Sequence, residues 1–349
     1  MICMASEVLV RPSGHHFFVE DNESILDAAL RQGISLPYGC RSGRCGACAG
    51  KLLTGSIDYP EGLPKGLSPE DSTQGLALFC QARPTCDLEI EVEETITGDL
   101  PVKTLPARVV TREKLSHDVM LLKLKLPASE RLQFLAGQYI EILLKDGRRR
   151  AFSIANAPHD DEFLELHIRE VPGGFFTHHV FHEMQEKALL RIEGPKGTFF
   201  LREDSDRPIL MMGGGTGFAP LKGMIEHAIA SGMNRPIELY WGVRDQQDLY
   251  LDTLIHQWLE TCPWLRFTPV LSEPSANSGW SGASGFVHQA IADQHKDLSG
   301  YEVYMSGPPP MIDAAKTAFS ALGLESNHLY FDSFDFAEDH ETPNRDIRS

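Results

Sequence analysis

No run of these 349 residues approaches the roughly 20 consecutive apolar residues that a membrane-spanning helix needs. The N-terminal MICMASEVLVRP lacks a charged segment followed by a long apolar one, so no signal peptide is expected and the cytoplasm is the expected compartment. Basic residues are scarce. Lys and Arg total 32 against 49 Asp and Glu, and the resulting net charge of −17 argues against nucleic acid as a partner. Cysteine is also sparse: seven in all, of which Cys3, Cys86 and Cys262 stand alone, as packing or tolerated surface thiols do in a reducing compartment. A chain of this length has enough residues for sizeable cores without disulfide staples. There is no G-x-G-x-x-G fingerprint, no internal repeat and no convincing acid–base dyad or nucleophile. His178 and His179, beside a Gly-Gly turn, read as helix-start or surface residues.

The other four cysteines organise the chain. Leu36 to Leu53 reads LPYGCRSGRCGACAGKLL, so that Cys40, Cys45 and Cys48 stand as C-x4-C-x2-C, and Cys80 follows on a separate element. This spacing is that of plant-type [2Fe–2S] proteins. Two irons and two sulfides need four thiolates around a compact unit, three of them from one tight loop. Gly39, Gly43 and Gly46 are expected to supply the unusual backbone angles of that loop, and Ser42 with the loop amides can donate hydrogen bonds to sulfur. A structural zinc site would favour two C-x2-C pairs and only one is present. Disulfides need a secreted context that nothing else supports, and chance clustering of core cysteines would not bring three glycines with it.

Length predicts two or three domains. Residues 7–10 and 16–20 read as strands, a helix capped by Ser24 ends at Gly33, and after the cysteine loop come CAGKLL and 87–92 as further strands. That order is expected to give a β-grasp ferredoxin domain over residues 1–98, followed by a linker at 99–106. Residues 1–99 hold 15 acids against 7 bases, as an electron carrier docking on a basic partner would, though ordinary acidic surfaces look the same. From Ala107, short strand-like runs at close, regular spacing predict an antiparallel barrel over 107–203. From 204 to 338, strands alternate with amphipathic helices and predict a parallel α/β domain. Residues 339–349 are polar and expected to form a loose tail. The fold class is thus multidomain, α+β followed by α/β.

Three motifs in the second and third units carry chemistry. Arg150, Phe152 and Ser153 form R-x-F-S at a strand end, able to offer a guanidinium to a pyrophosphate, a ring to a flavin face and a hydroxyl to its reactive edge. Taken alone, an exposed basic strand end explains the same residues. Gly173, Gly174 and Thr177 form a Gly-Gly turn opening into a helix. Gly213, Gly214, Gly215, Thr216, Gly217 and Pro220 lie in a glycine turn between a buried strand and a helix, where backbone N–H groups and a helix N-terminus can bind phosphate. A tight turn that needs glycine for steric reasons is the alternative. At the next strand end Arg244 suits a 2′-phosphate and Asp245 suits a ribose hydroxyl, so NADH and NADPH both stay open.

In combination these motifs resemble the ferredoxin–NADP reductase superfamily, in the branch with an N-terminal plant-type ferredoxin domain. The likeness runs over roughly residues 5–338, and within the branch the chain is most similar to CDP-6-deoxy-Δ3,4-glucoseen reductases. The resemblance implies that Arg150, Phe152 and Ser153 hold FAD, with Phe152 where the family often has Tyr. It implies that Gly173, Gly174 and Thr177 grip the pyrophosphate of FAD, and that Gly213 to Pro220 take the nicotinamide dinucleotide. Ser306, Gly307, Pro308 and Pro309 match a C-G-P-P motif whose Cys is Ser306 here, near the reacting nicotinamide. Ser153 and Ser306 are therefore the implied catalytic residues. Tyr330–Phe334 resembles a C-terminal segment that approaches the flavin, without an assigned role. The implied activity is an iron–sulfur flavoprotein reductase: electrons pass from NAD(P)H to FAD, then to the [2Fe–2S] cluster, then to a partner protein. That partner is a sugar dehydrase or, alternatively, an oxygenase or hydroxylase component. A redox-sensing iron–sulfur module is the reading from a different class, and a stand-alone flavin reductase with a structural cluster is a further one.

Overall fold

The structure, a computed structural model, describes residues 5–95, 100–275 and 278–334. The expected tail at 339–349 and residue 99 of the expected linker lie outside these residues.

The first unit comprises β1 (Ser6–Arg11), β2 (His16–Val19), α1 (Ile25–Arg31), β3 (Ala49–Thr54), β4 (Ile57–Asp58), α2 (Pro69–Thr73), β5 (Leu76–Leu78), β6 (Arg83–Pro84) and β7 (Leu88–Glu91). Its main sheet has the order β2-β1-β7-β3-β5, in which β1 and β7 are parallel and the other neighbours antiparallel. Period-2 alternation sets the faces: Val8, Val10, Phe17 and Val19 are buried, whereas Phe18 is exposed. Ser24 caps α1 by accepting from the Asp27 amide at 3.1 Å, and Ile25, Leu26, Ala28 and Ala29 of that helix pack into the core. Ala49 pairs with Leu78 across β3 and β5, and the Phe79 amide donates to the Cys48 carbonyl at 3.1 Å. That pairing delivers Cys80 to the side of Cys48.

The second unit is a six-stranded antiparallel sheet of order β11-β10-β13-β8-β9-β12. Its strands are β8 (Lys103–Lys114), β9 (Val119–Lys125), β10 (Tyr139–Leu143), β11 (Arg149–Ser153), β12 (Leu164–Arg169) and β13 (Leu189–Lys196). Helix α3 (Phe175–His178) continues into a π-turn at His179–Glu183. The composition of 97–106 suggests a linker, yet Lys103–Pro106 already pairs with β13. Pro106 is tolerated because β9 joins β8 only from Arg108 onward, so at Pro106 the strand is bonded on one side.

The third unit is a six-stranded parallel sheet of order β17-β16-β15-β14-β18-β19. It comprises β14 (Ile209–Gly214), α4 (Phe218–Ala230), β15 (Ile237–Val243), α5 (Asp252–Thr261), β16 (Leu265–Leu271), β17 (Ala283–Ser284), α6 (Val287–Gln294), β18 (Glu302–Gly307), α7 (Pro309–Ala321) and β19 (Leu329–Ser333). Met211 and Leu239 face one core, while Leu210, Met212 and Tyr240 face the other. The near-continuous apolar run of such strands is what burial on both sides requires. β15 and β18 flank β14 on opposite sides, so strand order reverses at β14, the kind of position where open α/β sheets bind ligands.

Candidate active site

The four thiols of Cys40, Cys45, Cys48 and Cys80 meet in two hydrogen-bonded pairs, Cys40 with Cys45 and Cys48 with Cys80. Within each pair the bond from the partner pulls Cys40 to about 5 and lowers Cys80, and the same bonds push Cys45 and Cys48 up. Loop amides point at the sulfurs. Ser42 and Cys45 N–H reach Cys40 Sγ at 3.4 Å, Cys40 N–H reaches Cys45 Sγ at 3.4 Å, and Ala47 N–H reaches it at 3.5 Å. Among the described residues, no three of these sulfurs lie within 4.8 Å of one another. A single tetrahedral zinc would gather all four, whereas two irons need two thiols each, so the donor set fits a [2Fe–2S] group. Gly43 and Gly46 have φ of +73° and +77°. Gly39 is not in the left-handed region, contrary to the expectation for all three; a Cβ there would come 3.3 Å from Cys45 Sγ, so its role is space. The third left-handed residue of the loop is Arg41, whose guanidinium pairs with Asp27 of α1.

A cavity of about 400 Å³ opens between the units, with walls formed by Cys40, Arg150, Phe152, Ser153 and Thr177. The R-x-F-S motif lies on β11. The Phe152 ring packs on Phe176 at 5.6 Å, and Ser153 donates to Asp332 Oδ2 at 3.2 Å. The Thr177 hydroxyl donates to the Gly174 carbonyl and accepts from the Val171 amide, both at 3.2 Å, which closes the Gly-Gly turn. Gly174 reaches the cavity wall, while Gly173 supplies the turn with φ of +78°. The pyrophosphate and ring system of a flavin need a concave site with a cation and an aromatic face, and both are here.

A second cavity, of about 430 Å³, is lined by Gly214, Gly215, Thr216, Arg244, Phe286 and Pro308. Thr216 and Arg169 line both cavities, marking where the two meet. Gly213, Gly217, Pro220, Ser306 and Gly307 are not on either wall. Gly217 backs directly onto Ser306, and Ser306 is fully buried with its hydroxyl unpartnered among the described residues. It stands in register with Gly213 on one side and Asp332 on the other. The Asp245 carboxylate is engaged locally: it caps the turn at Gln246–Asp248 and binds Ser275. Arg244 faces the cavity.

Residues 8–85 match the 2Fe-2S iron-sulfur cluster binding domain, 106–201 the oxidoreductase FAD-binding domain and 211–317 the oxidoreductase NAD-binding domain. The chain is 39% identical over 332 residues to the CDP-6-deoxy-L-threo-D-glycero-4-hexulose-3-dehydrase reductase of Yersinia pestis, covering 95% of this chain and 99% of that one. The chain belongs to the ferredoxin–NADP reductase superfamily, in its iron–sulfur branch. Reductase component 1 of a Comamonas terephthalate 1,2-dioxygenase is 34% identical over 95% of the reductase and 98% of its own length. The Amycolatopsis cytochrome P-450 reductase GcoB superposes on the reductase with a TM-score of 0.76 at 34% identity, over 94% and 98% of the two chains. The reductase is an electron-transfer oxidoreductase with domains for FAD, NAD and a [2Fe–2S] cluster.

Sequence reasoning left several residues of the reductase's site unnamed. Arg169 is anchored by Asp118 at 2.8 Å. Tyr139 donates its hydroxyl to the Gly39 carbonyl at 3.1 Å. His167 bridges Tyr250 at 3.1 Å and Glu165 at 3.0 Å; burial lowers its pKa, the Glu165 bond opposing. Asp332, partly buried on the cavity wall, is pushed up to about 6 by burial, against the bond from Ser153. Its ordinary value is 3.8, so between pH 4 and 6 the folded chain holds a proton that the unfolded chain has lost. Stability from this group is therefore present at the acid end and declines as pH rises through 6. About two pH units correspond to roughly 3 kcal/mol. Asp332→Asn should remove that slope. Denaturant unfolding of both proteins at pH 5 and pH 8 checks it, with the variant gaining on the wild type at pH 8.

Proposed function

We propose that Cys40, Cys45, Cys48 and Cys80 hold the cluster. FAD is held by Arg150, Phe152, Ser153, Gly173, Gly174 and Thr177, and the dinucleotide by Gly213 to Gly217, Pro220, Gly307 and Pro308. Bound FAD supplies the conversion between a two-electron hydride from NAD(P)H and single electrons for the cluster, and the protein supplies orientation and exclusion of water. The observation that carries this reading is Cys40, which belongs to the thiol set and to the wall of the flavin cavity at once. Tyr38 and Thr198 fix the juxtaposition: the Tyr38 amide donates to Thr198 Oγ1 at 2.9 Å, and that hydroxyl donates back to the Tyr38 carbonyl at 3.0 Å. Thr177 holds the phosphate turn closed, Ser153 presents a hydroxyl oriented by Asp332, and Ser306 lies behind the dinucleotide loop next to that pair.

The five-stranded sheet with α1 reads as a β-grasp and the six-stranded antiparallel sheet as a barrel, with the second unit opening at β8, ahead of the expected boundary at 106, and the third following from about 204. Four cysteines given over to a cluster, with Cys86 and Cys262 outside any disulfide, suit a reducing compartment, the cytoplasm, and no helix among the described residues is long and apolar enough to cross a membrane. A net charge of −17 disfavours nucleic acid as a partner. The acceptor is a protein, and the dehydrase of a CDP-sugar is the first choice, given the 39% identity to a dehydrase reductase. An oxygenase component is second, given the 34% identity over nearly the full length of a dioxygenase reductase. Purified protein supplied with NADH or NADPH and one acceptor at a time decides. Product formation with the dehydrase and none with oxygenase components is the expected result, and the reverse pattern assigns the oxygenase.

A further inference from the structure

Lys316 reaches the cysteine loop from the nucleotide-binding unit. It sits on α7, whose first turns line the nucleotide cavity through Pro310, Met311 and Ala314. Its Nζ donates to the carbonyl oxygen of Cys45 at 3.3 Å and lies 3.6 Å from the centroid of the Phe331 ring. A Cβ on Gly46 would come within 3.9 Å of the same atom, so the ammonium rests on the loop between Cys45 and Cys48. Phe331 belongs to β19 and is followed at once by Asp332 of the flavin cavity. Asp313, one turn earlier on α7, acts on Lys316 through space. Among the described residues no carboxylate pairs with the ammonium.

A compact point charge at a boundary between units, partly out of water, acts more strongly than one on an open surface. Reduction of a [2Fe–2S] group adds one negative charge, and nearby charge together with hydrogen bonding are the protein's levers on its potential. Resting on the reading that the four thiols hold the cluster, we propose that Lys316 raises the cluster's potential from the nucleotide-binding unit and pins the cysteine loop to that unit. It is a positioning residue, acting through the Cys45 backbone, and it makes the cluster a better acceptor for electrons leaving the flavin cavity. The cation comes from 271 residues away in sequence, so the first unit folded by itself would lack it.

The test is an anaerobic redox titration of the holoenzyme, followed by low-temperature EPR of the reduced cluster. Wild type, Lys316→Met, Lys316→Arg and, as a control for simple loss of charge, Lys103→Met are compared. Lys103 is half-exposed and paired with Glu130. Lys316→Met is expected to shift the electron distribution about tenfold away from the cluster, about 59 mV for a one-electron couple. Lys316→Arg recovers most of that shift, and Lys103→Met causes none. Flavin reduction by NAD(P)H keeps its rate in every variant. Amide hydrogen exchange at residues 45–48 rises in Lys316→Met and stays near wild type in Lys316→Arg. An unchanged cluster potential in Lys316→Met overturns the proposal. Equal shifts in the Met and Arg variants also overturn it, since packing and not charge would then be responsible. A wild type without any cluster signal would instead overturn the reading of the thiols on which the proposal rests.

Discussion

Cys45→Ala is expected to abolish electron transfer to one-electron protein acceptors, by a factor of at least about 100, while reduction of bound flavin by NAD(P)H stays within about twofold of wild type. The asymmetry follows from placement. Cys45 belongs to the Cys40 pair on the flavin-facing side of the loop. Its sulfur also accepts the Cys40 and Ala47 amides. Removing it leaves three thiols for two irons and takes an acceptor from two loop amides, so the [2Fe–2S] group has no complete ligand set. The dinucleotide loop and the turn closed by Thr177 lie in other units and contain no residue of this loop. Stopped-flow absorbance separates the two steps in one experiment: flavin bleaching persists, and the slower change from cluster reduction disappears. A variant that still reduces the partner at the wild-type rate would mean that electrons leave from the flavin directly, making the cluster structural.

What could be read from the sequence follows from how local each signal is. Three of the four thiols lie within nine residues, and their spacing alone carried the chemistry. Ser24 as a helix cap and the apolar runs of β14 and β15 were equally local, and the fold expectations built on them agree with the observed sheets. Asp332 was not legible as Ser153's partner, because 179 residues separate them and only the order of a parallel sheet brings β19 beside β18. Arg169 looks like any strand-end cation until the Asp118 bond and the two cavities give it a place. Asp245 and Arg244 at the same strand end left NADH and NADPH both open, and the local capping turn and Ser275 that engage the Asp245 carboxylate could not be read from the sequence. Gly39 was expected to bend the backbone and instead makes room for a sulfur. Composition placed a linker where Lys103–Pro106 is already strand, since Pro and Thr content cannot report a partner strand nearly 90 residues away.

Gly217→Ala should damage nucleotide binding more than any substitution on the cavity wall, although Gly217 is not on that wall. A Cβ at this position would lie 2.0 Å from the Ser306 carbonyl oxygen and 2.5 Å from its carbonyl carbon. Both are backbone atoms in the middle of a parallel sheet and cannot swing aside as a side chain would. Either the turn at Gly215–Gly217 moves or β18 does. Overpacking of this kind costs about 1–3 kcal/mol, and more where the neighbour is rigid. Movement of the turn would shift Gly215 and Thr216, which line the nucleotide cavity, and with them the start of α4. The expected result is a rise in KM for NAD(P)H of at least about tenfold, with a smaller loss of FAD affinity because Thr216 also lines the flavin cavity, and with cluster content unchanged, because the cysteine loop lies in another unit. If Gly217→Ala bound nucleotide normally, the turn would have to be far more pliable than its contact with Ser306 allows, and the dinucleotide site would have to be sought away from this loop.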